Sequence, residues 1–358
     1  MGGHVRFPVT YWTGIWEPHR EALSSQVHAM REALAPGSPV VSFSAGQRSS
    51  VDFRGRVLRL SGRRDLLLRG LGAGLERFGR ITHAFGSVDC WHFFKSLGRR
   101  PFLFTVSLPG RPLAPSLYAG VHRFVAETPV LAEHLRHAGV SPGRIEVVYP
   151  GIDLQRFSPS EVLRERRAFR IIFASTPSDP TEFEPRGIPL LIETARRRPE
   201  VEIVFLWRRW GNLPAAAAEL ERLRPPPNVT INSRDIPDMA AVYADADAVA
   251  CCFAANFAKS APNSVIEGLA CGRPALLTDT CGIAPEVAAH SAGVGTPRAV
   301  DALVQGIDTL QANYPEFSRN ARKLAERLFD RETCHREYAR LYQQLGATPL
   351  TAHAVVDG

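Results

Sequence analysis

A carboxylate set in apolar surroundings, one turn into a helix, is the first group in this chain whose setting could do chemistry. It is Glu267, within residues 259–287, KSAPNSVIEGLACGRPALLTDTCGIAPEV. The spacing predicts a helix with Ser260 as its N-cap and Pro262 in its first turn. Val265, Ile266, Leu269 and Ala270 form an apolar face at helical spacing. Gly272 ends the helix, and residues 274–277 follow as a short buried strand. The first N–H groups of a helix, here at Asn263 and Ser264, lack partners within it and carry partial positive charge, so they suit a phosphate. The plainer alternative is an ordinary helix of an α/β protein whose Glu267 faces solvent.

The elements that must hold such a group alternate strand with helix. In the first half, residues 5–12, 39–43, 57–60, 80–84, 101–106, 122–126 and 145–149 are strand candidates. Helical patterns at 19–34, 88–97 and 129–138 fall between some of them. Strands at 170–174, 201–207, 229–232 and 248–253 alternate with helices at 188–197, 214–223 and 239–244 in the second half. This alternation predicts parallel sheets in an α/β fold. Ligands in such sheets bind at the carboxyl ends of the strands. Gly14, after the first strand, would let a backbone approach a phosphate or sugar. His83 and Ser107 are expected at two other strand ends, and a structural role for His83 stays open. The dinucleotide pattern G-x-G-x-x-G is absent, and Gly70-Leu-Gly72-Ala-Gly74 does not complete it.

At 358 residues, with 45% hydrophobic and 22% charged residues, the chain has room for two domains with their own cores. No apolar run approaches the roughly 20 residues of a membrane span, and the start MGGHVRFPVTYW lacks a signal-peptide pattern. A cytoplasmic protein is therefore expected. The six cysteines form no C-x-x-C pair and the eleven histidines no tight ligand spacing, so neither disulfides nor a metal is predicted. Residues 1–160 carry a net charge of +9 and the remainder −2. A basic half suits an anionic partner, such as a membrane surface or polyanionic acceptor; scattered solvated arginines explain it equally. Residues 63–78, with Arg63, Arg64, Arg69 and Arg77 among leucines, allow either a basic amphipathic face on lipid headgroups or a helix packed on the sheet. Charge alone, without a recognised motif, gives no ground for nucleic-acid binding.

The stretch Lys259, seven residues, then Glu267-Gly-Leu-Ala-Cys-Gly272-Arg-Pro274 resembles the donor-site pattern E-x7-E-A-x-A-x-G-x-P of retaining GT-B glycosyltransferases of the family 4 type. Lys259 stands where the first Glu would be. Residues 147–159, VVYPGIDLQRFSP, resemble the family's interdomain segment, with Pro150 in place of its Asn. The resemblance implies two Rossmann-like domains facing a cleft: an acceptor domain over 1–160 and a donor domain over 161–330. A helix at 331–346 would cross back to the first domain, ahead of a frayed tail at 347–358. It implies transfer of a sugar from a nucleotide-sugar, as co-substrate, to a glycan, lipid-linked or small-molecule acceptor, with retention and without metal or other cofactor. Glu267 would accept from the ribose hydroxyls. Arg186, in register with the family's Lys, would meet the pyrophosphate, while Ser175-Thr176 replaces the family's Gly-Arg. Lys259 would lie at the donor sugar or phosphates. Arg234 and Ile236 fall in the nucleobase loop, and Gly282 and Ile283 in the loop written GGipE. His83 would belong to a segment near the acceptor, although the second His of the usual pair is Phe85. Lys259 and Thr176 also leave room for a catalytically impaired protein that binds a nucleotide-sugar without efficient turnover. The basic first half allows peripheral contact with an anionic surface at the inner membrane face.

Overall fold

The computed structural model describes residues 7–44, 48–62, 65–160, 168–208 and 211–347, with the backbone alone for 65–69. Residues 161–167, the arginines at 63, 64 and 69, and all of the expected tail but Ala347 lie outside the described residues or side chains. Two compact units divide the chain. One runs to Gly151 and resumes at Glu332, and the other is Ile152–Arg331.

The first unit is an eight-stranded sheet. Its strands are β1 (Phe7–Thr13), β2 (Val40–Ser44), β3 (Ser50–Asp52), β4 (Val57–Ser61), β5 (Gly79–Ser87), β6 (Phe102–Leu108), β7 (Arg123–Ala126) and β8 (Ile145–Val147). They lie in the order β3-β4-β2-β1-β5-β6-β7-β8, all parallel except for β3, which pairs antiparallel with β4. Helices α1 (Ala22–Leu34), α2 (Asp65–Leu75), α3 (Trp91–Ser96) and α4 (Pro129–His137) connect them. Strands such as FLFTVSL are buried on both faces because a parallel sheet is covered on both sides. The core on one face contains Trp12, Phe93, Phe104 and Phe124; the other contains Val9, Tyr11, Phe85 and Leu103.

In the second unit β9 (Phe169–Phe173), α5 (Phe183–Arg186), α6 (Ile188–Arg197), β10 (Val201–Leu206), α7 (Leu213–Arg222), β11 (Val229–Asn232) and α8 (Met239–Ala244) build one half. The other half is β12 (Ala248–Cys251), α9 (Asn263–Ala270), β13 (Ala275–Thr278), α10 (Ala284–Ala289), β14 (Gly293–Thr296), α11 (Val300–Ala312) and α12 (Tyr314–Leu328). The strand order β11-β10-β9-β12-β13-β14 reverses direction between β9 and β12. That reversal opens a crevice at the carboxyl ends of these two strands, the usual ligand position in a doubly wound sheet.

The boundary between the units falls ahead of the expected residue 160 for a local reason. One guanidinium nitrogen of Arg322, in α12, donates to the carbonyls of Leu154, Phe157 and Ala270, tying residues 154–157 to the second unit. The last helix, α13 (Arg331–Gln344), goes with the first unit, where Cys334, Tyr338, Leu341 and Tyr342 enter the core beside Tyr11 and Leu103. Five of the six cysteines are buried thiols. No helix among the described residues is long and apolar enough to cross a membrane.

Candidate functional site

The helix carrying Glu267 begins two residues later than its sequence suggests. Pro262 is the N-cap, with φ −64° and ψ 129°, and no side chain caps the helix. Ser260 is instead buried under the loop after β13, where a Cβ on Gly282 would come within 1.7 Å of its Oγ. The start of α9 therefore presents its first amides, at the half-buried Asn263 and Ser264, without side-chain competition. At the other end Gly272 takes φ +69°, and the amides of Gly272 and Arg273 close onto the carbonyls of Leu269 and Gly268. This is the glycine-dependent stop the sequence indicates. Val265, Ile266, Leu269 and Ala270 are all buried. Gly268 lets the helix lie against β12, since a Cβ there would stand 2.4 Å from Val249 Cγ1.

Glu267 is half-buried, and its Oε2 accepts a 3.0 Å hydrogen bond from the hydroxyl of Tyr243 at the end of α8. Burial pushes its carboxyl up to about 7, against the opposing pull of Tyr243 and then of Arg156, Arg208 and Lys259. The carboxylate thus sits among three cations supplied by three different loops. Lys259 donates from Nζ to Asn263 Oδ1 at 2.9 Å, which holds its ammonium at the first residue of α9. Lys259, Asn263, Ser264 and Glu267 are accordingly brought together.

Arg186 stands at the end of α5, beside the carboxyl end of β9. Its Nε and Nη2 donate to Glu182 Oε2 at 2.9 and 2.5 Å, and Nη1 donates to Ser175 Oγ at 2.5 Å. Its guanidinium also lies 5.2 Å from the centroid of the Phe257 ring. Burial opposes the charge of Glu182, but the bonds from Ser178 and Arg186 outweigh it and hold the carboxyl below the usual glutamate range. An anion arriving here meets an ion pair. Ser175, where the family has Gly, anchors one arm of that pair. Thr176, where the family has Arg, accepts from the amide of Arg208 at 2.7 Å. This pins the loop after β10 to the loop after β9, and the amide of Asn212 on the Ser178 carbonyl repeats the connection.

The remaining expected residues divide. Arg234 is exposed and Ile236 half-buried on the loop after β11, where the Arg234 amide donates to Asn232 Oδ1. Gly282 is buried, and Ile283 is 0% exposed, so at these two positions only the main chain could face a ligand. Gly14, in the first unit, follows β1 and has open space beside its Cα, where a Cβ would meet nothing within 4 Å.

The expectation for His83 fails. The residue lies in the middle of β5 rather than at its end and is 0% exposed. Its Nδ1 bonds Tyr342 Oη at 2.7 Å and its Nε2 bonds Thr105 Oγ1 at 2.8 Å, so neither nitrogen is left for an acceptor substrate. Tyr338 bonds the same threonine at 3.0 Å. His83 is the polar hub on which α13 docks, and burial holds its imidazole well below the ordinary value.

Tyr243, Glu182, Arg156 and Arg208 escape sequence reasoning. Only Glu182 had a local signal, four residues ahead of Arg186 on one helical face. No group of three or more metal-ligating side chains occurs among the described residues.

A family model described as glycosyl transferases group 1 matches residues 182–313. The chain is 31% identical over 196 residues to a D-inositol 3-phosphate glycosyltransferase of Segniliparus rotundus, covering 50% of this chain and 41% of that protein. It is 28% identical over 198 residues to the protein of that name from Paenarthrobacter aurescens, covering 49% and 45%. The matches thus span less than half of these curated relatives. Among solved structures, a sucrose-phosphate synthase from Thermosynechococcus elongatus superposes with a TM-score of 0.73 at 14% identity, covering 94% of this chain and 99% of that one. Anabaena HepE in complex with UDP gives 0.72 at 15% identity, covering 94% and 100%. Residues 182–313 thus match the glycosyl transferases group 1 family, and the chain that carries them shares the two-sheet GT-B architecture of the solved glycosyltransferases.

Proposed function

We propose that this chain is a glycosyltransferase that moves a sugar from a nucleotide-sugar to an acceptor, with retention of anomeric configuration and without a metal ion. The observation that carries the reading is the start of α9. An uncapped helix N-terminus, the Lys259 ammonium and the Glu267 carboxylate converge there at the reversal point of the second sheet. Glu267, once ionised, accepts from the ribose hydroxyls of the nucleotide. The diphosphate lies over the amides of Asn263 and Ser264 and beside Lys259, with Arg186 reaching it from the end of α5. As the glycosidic bond breaks, negative charge grows on the leaving diphosphate, and fixed amides and cations already aimed at it stabilise that charge without reorganising. The cations would also do the work that a divalent ion does at other diphosphate sites.

UDP bound to Anabaena HepE, whose fold this chain shares, supports a uridine nucleotide as the first donor to try. The family resemblance supports retention. The positive charge of residues 1–160 supports an anionic acceptor, or one held at an anionic membrane surface. Donor consumption measured with a panel of UDP-, GDP- and ADP-sugars in the presence of EDTA tests the reading. Turnover of at least one donor, with the product anomer retained, is expected. Activity that disappears with EDTA and returns with magnesium or manganese would contradict the metal-free mechanism.

A further inference from the structure

Tyr243 is the penultimate residue of the short helix α8, MAAVYA, and is 0% exposed. A phenol hydroxyl placed there needs a hydrogen-bond partner, because burying it without one is costly. Its partner is Oε2 of Glu267, at 3.0 Å and 24 residues away in sequence. The ring also packs beside Phe157, 6.2 Å between centroids. Phe157 is itself 5% exposed, and its carbonyl is bonded by Arg322. A buried ring so packed cannot reach a ligand. It can determine where the carboxylate points.

We infer that Tyr243 is a positioning residue for nucleotide binding: its hydroxyl takes one oxygen of Glu267, orients the carboxylate, and leaves the other oxygen to accept from the nucleotide. The inference rests on the donor role proposed for Glu267 and extends it to a residue that never touches the nucleotide. Burial pushes the Glu267 carboxyl up to about 7, so its ionisation at neutral pH is finely balanced, and the Tyr243 bond is the strongest of the influences that favour the anion. The phenol is held well above its ordinary pKa by burial and remains a donor throughout the working range. The other groups facing Glu267 are Arg156 from the segment after the unit boundary, Arg208 after β10 and Lys259 before α9, all of which favour its charge. The Cys271 thiol lies beside it at the end of α9, pushed up to about 11 and neutral.

Nucleotide binding requires the ionised carboxylate, so affinity rises with pH through the pKa of Glu267. Removing the hydroxyl raises that pKa, and the acid limb of binding moves to higher pH. The test compares wild type, Tyr243→Phe, Glu267→Gln and the double variant. Affinity for UDP is measured by calorimetry from pH 5.5 to 9, and the Glu267 carboxyl is titrated by carbon-13 NMR without ligand. In Tyr243→Phe the carboxyl is expected to titrate about one pH unit higher, a roughly tenfold change in ionisation constant. The UDP-binding limb shifts with it, and affinity recovers at high pH. In the Glu267→Gln background the same change should leave no pH-dependent effect. A uniform loss of affinity at every pH with an unmoved limb would overturn the inference, as would an unmoved Glu267 titration. Should wild type fail to bind UDP, the donor reading has failed for that nucleotide, while the ligand-free titration still decides whether Tyr243 governs Glu267.

Discussion

Replacing Lys259 with Ala separates a binding role from a structural one, because its structural consequences nearly cancel. Among its contacts the side chain donates a partly buried hydrogen bond, Nζ to Asn263 Oδ1 at 2.9 Å, and losing that bond costs about 0.5–1.5 kcal/mol. The same ammonium sits at the N-terminus of α9, where the helix already carries partial positive charge. Removing a like charge there returns about 0.3–1 kcal/mol. Folding stability should therefore change by less than about 1 kcal/mol. A diphosphate at the helix start would feel the loss differently. A unit charge about 4 Å away contributes roughly 1 kcal/mol in water and roughly 4 kcal/mol at the effective dielectric of a protein surface. At 1.4 kcal/mol per decade, a fall in nucleotide-sugar affinity of roughly five- to 700-fold is expected. Lys259→Glu should weaken binding further, since it sets like charges together. Calorimetry with the donor, run beside thermal unfolding, measures both quantities. Equal affinity in Lys259→Ala would refute the role, and a higher transfer rate in Lys259→Glu would show that Glu, not Lys, is the working residue.

Below pH 6.5 the first unit should lose stability at about 1.4 kcal/mol per pH unit, because His83 is neutral when folded and binds a proton once exposed. His83→Gln should flatten that dependence in urea titrations between pH 5 and 7, at some cost in stability at neutral pH. Gly268→Ala should destabilise the second unit by about 1–3 kcal/mol through the overlap with Val249 Cγ1, and Val249→Ala should recover part of the loss; additive denaturation midpoints would refute the contact. Glu182→Gln should release Arg186 from its ion pair and strengthen donor binding, provided that phosphates compete for the guanidinium; unchanged or weaker binding in calorimetry would indicate that Glu182 positions Arg186.

The parallel α/β architecture and the helix of Glu267 were legible because their signals are local. Buried faces recur at helical spacing in α9, a glycine must adopt positive φ at its end, and apolar runs mark the strands. Strand β14, GVGT, left no such trace: its two glycines carry no apolar side chain, and a Cβ on Gly293 would strike the carbonyl of Ala275. The edge strand β3 is three exposed residues, too short to signal. His83 was misplaced for a non-local reason. Nothing near residue 83 announces that Tyr338 and Tyr342 will arrive from the far end of the chain to cover it. Tyr243 was invisible for the complementary reason. In MAAVYA it has the look of a core aromatic, and its chemistry resides in a single hydroxyl whose partner is on another helix. Arg186 was identified by register, but the ion pair that holds it depends on how α5 and the loop after β9 fold together.

The central claim is that Glu267 receives the nucleotide of the donor. It is tested most directly by calorimetric titration of UDP-glucose, with the other nucleotide-sugars as alternates, into wild type and Glu267→Ala at pH 8, where the carboxylate is ionised. Loss of hydrogen bonds to a charged acceptor amounts to about 1.5–3 kcal/mol. The account therefore predicts donor affinity lower by roughly 10- to 150-fold in the variant, with the thermal unfolding of the first unit unchanged. A donor that binds Glu267→Ala as tightly as wild type would contradict it.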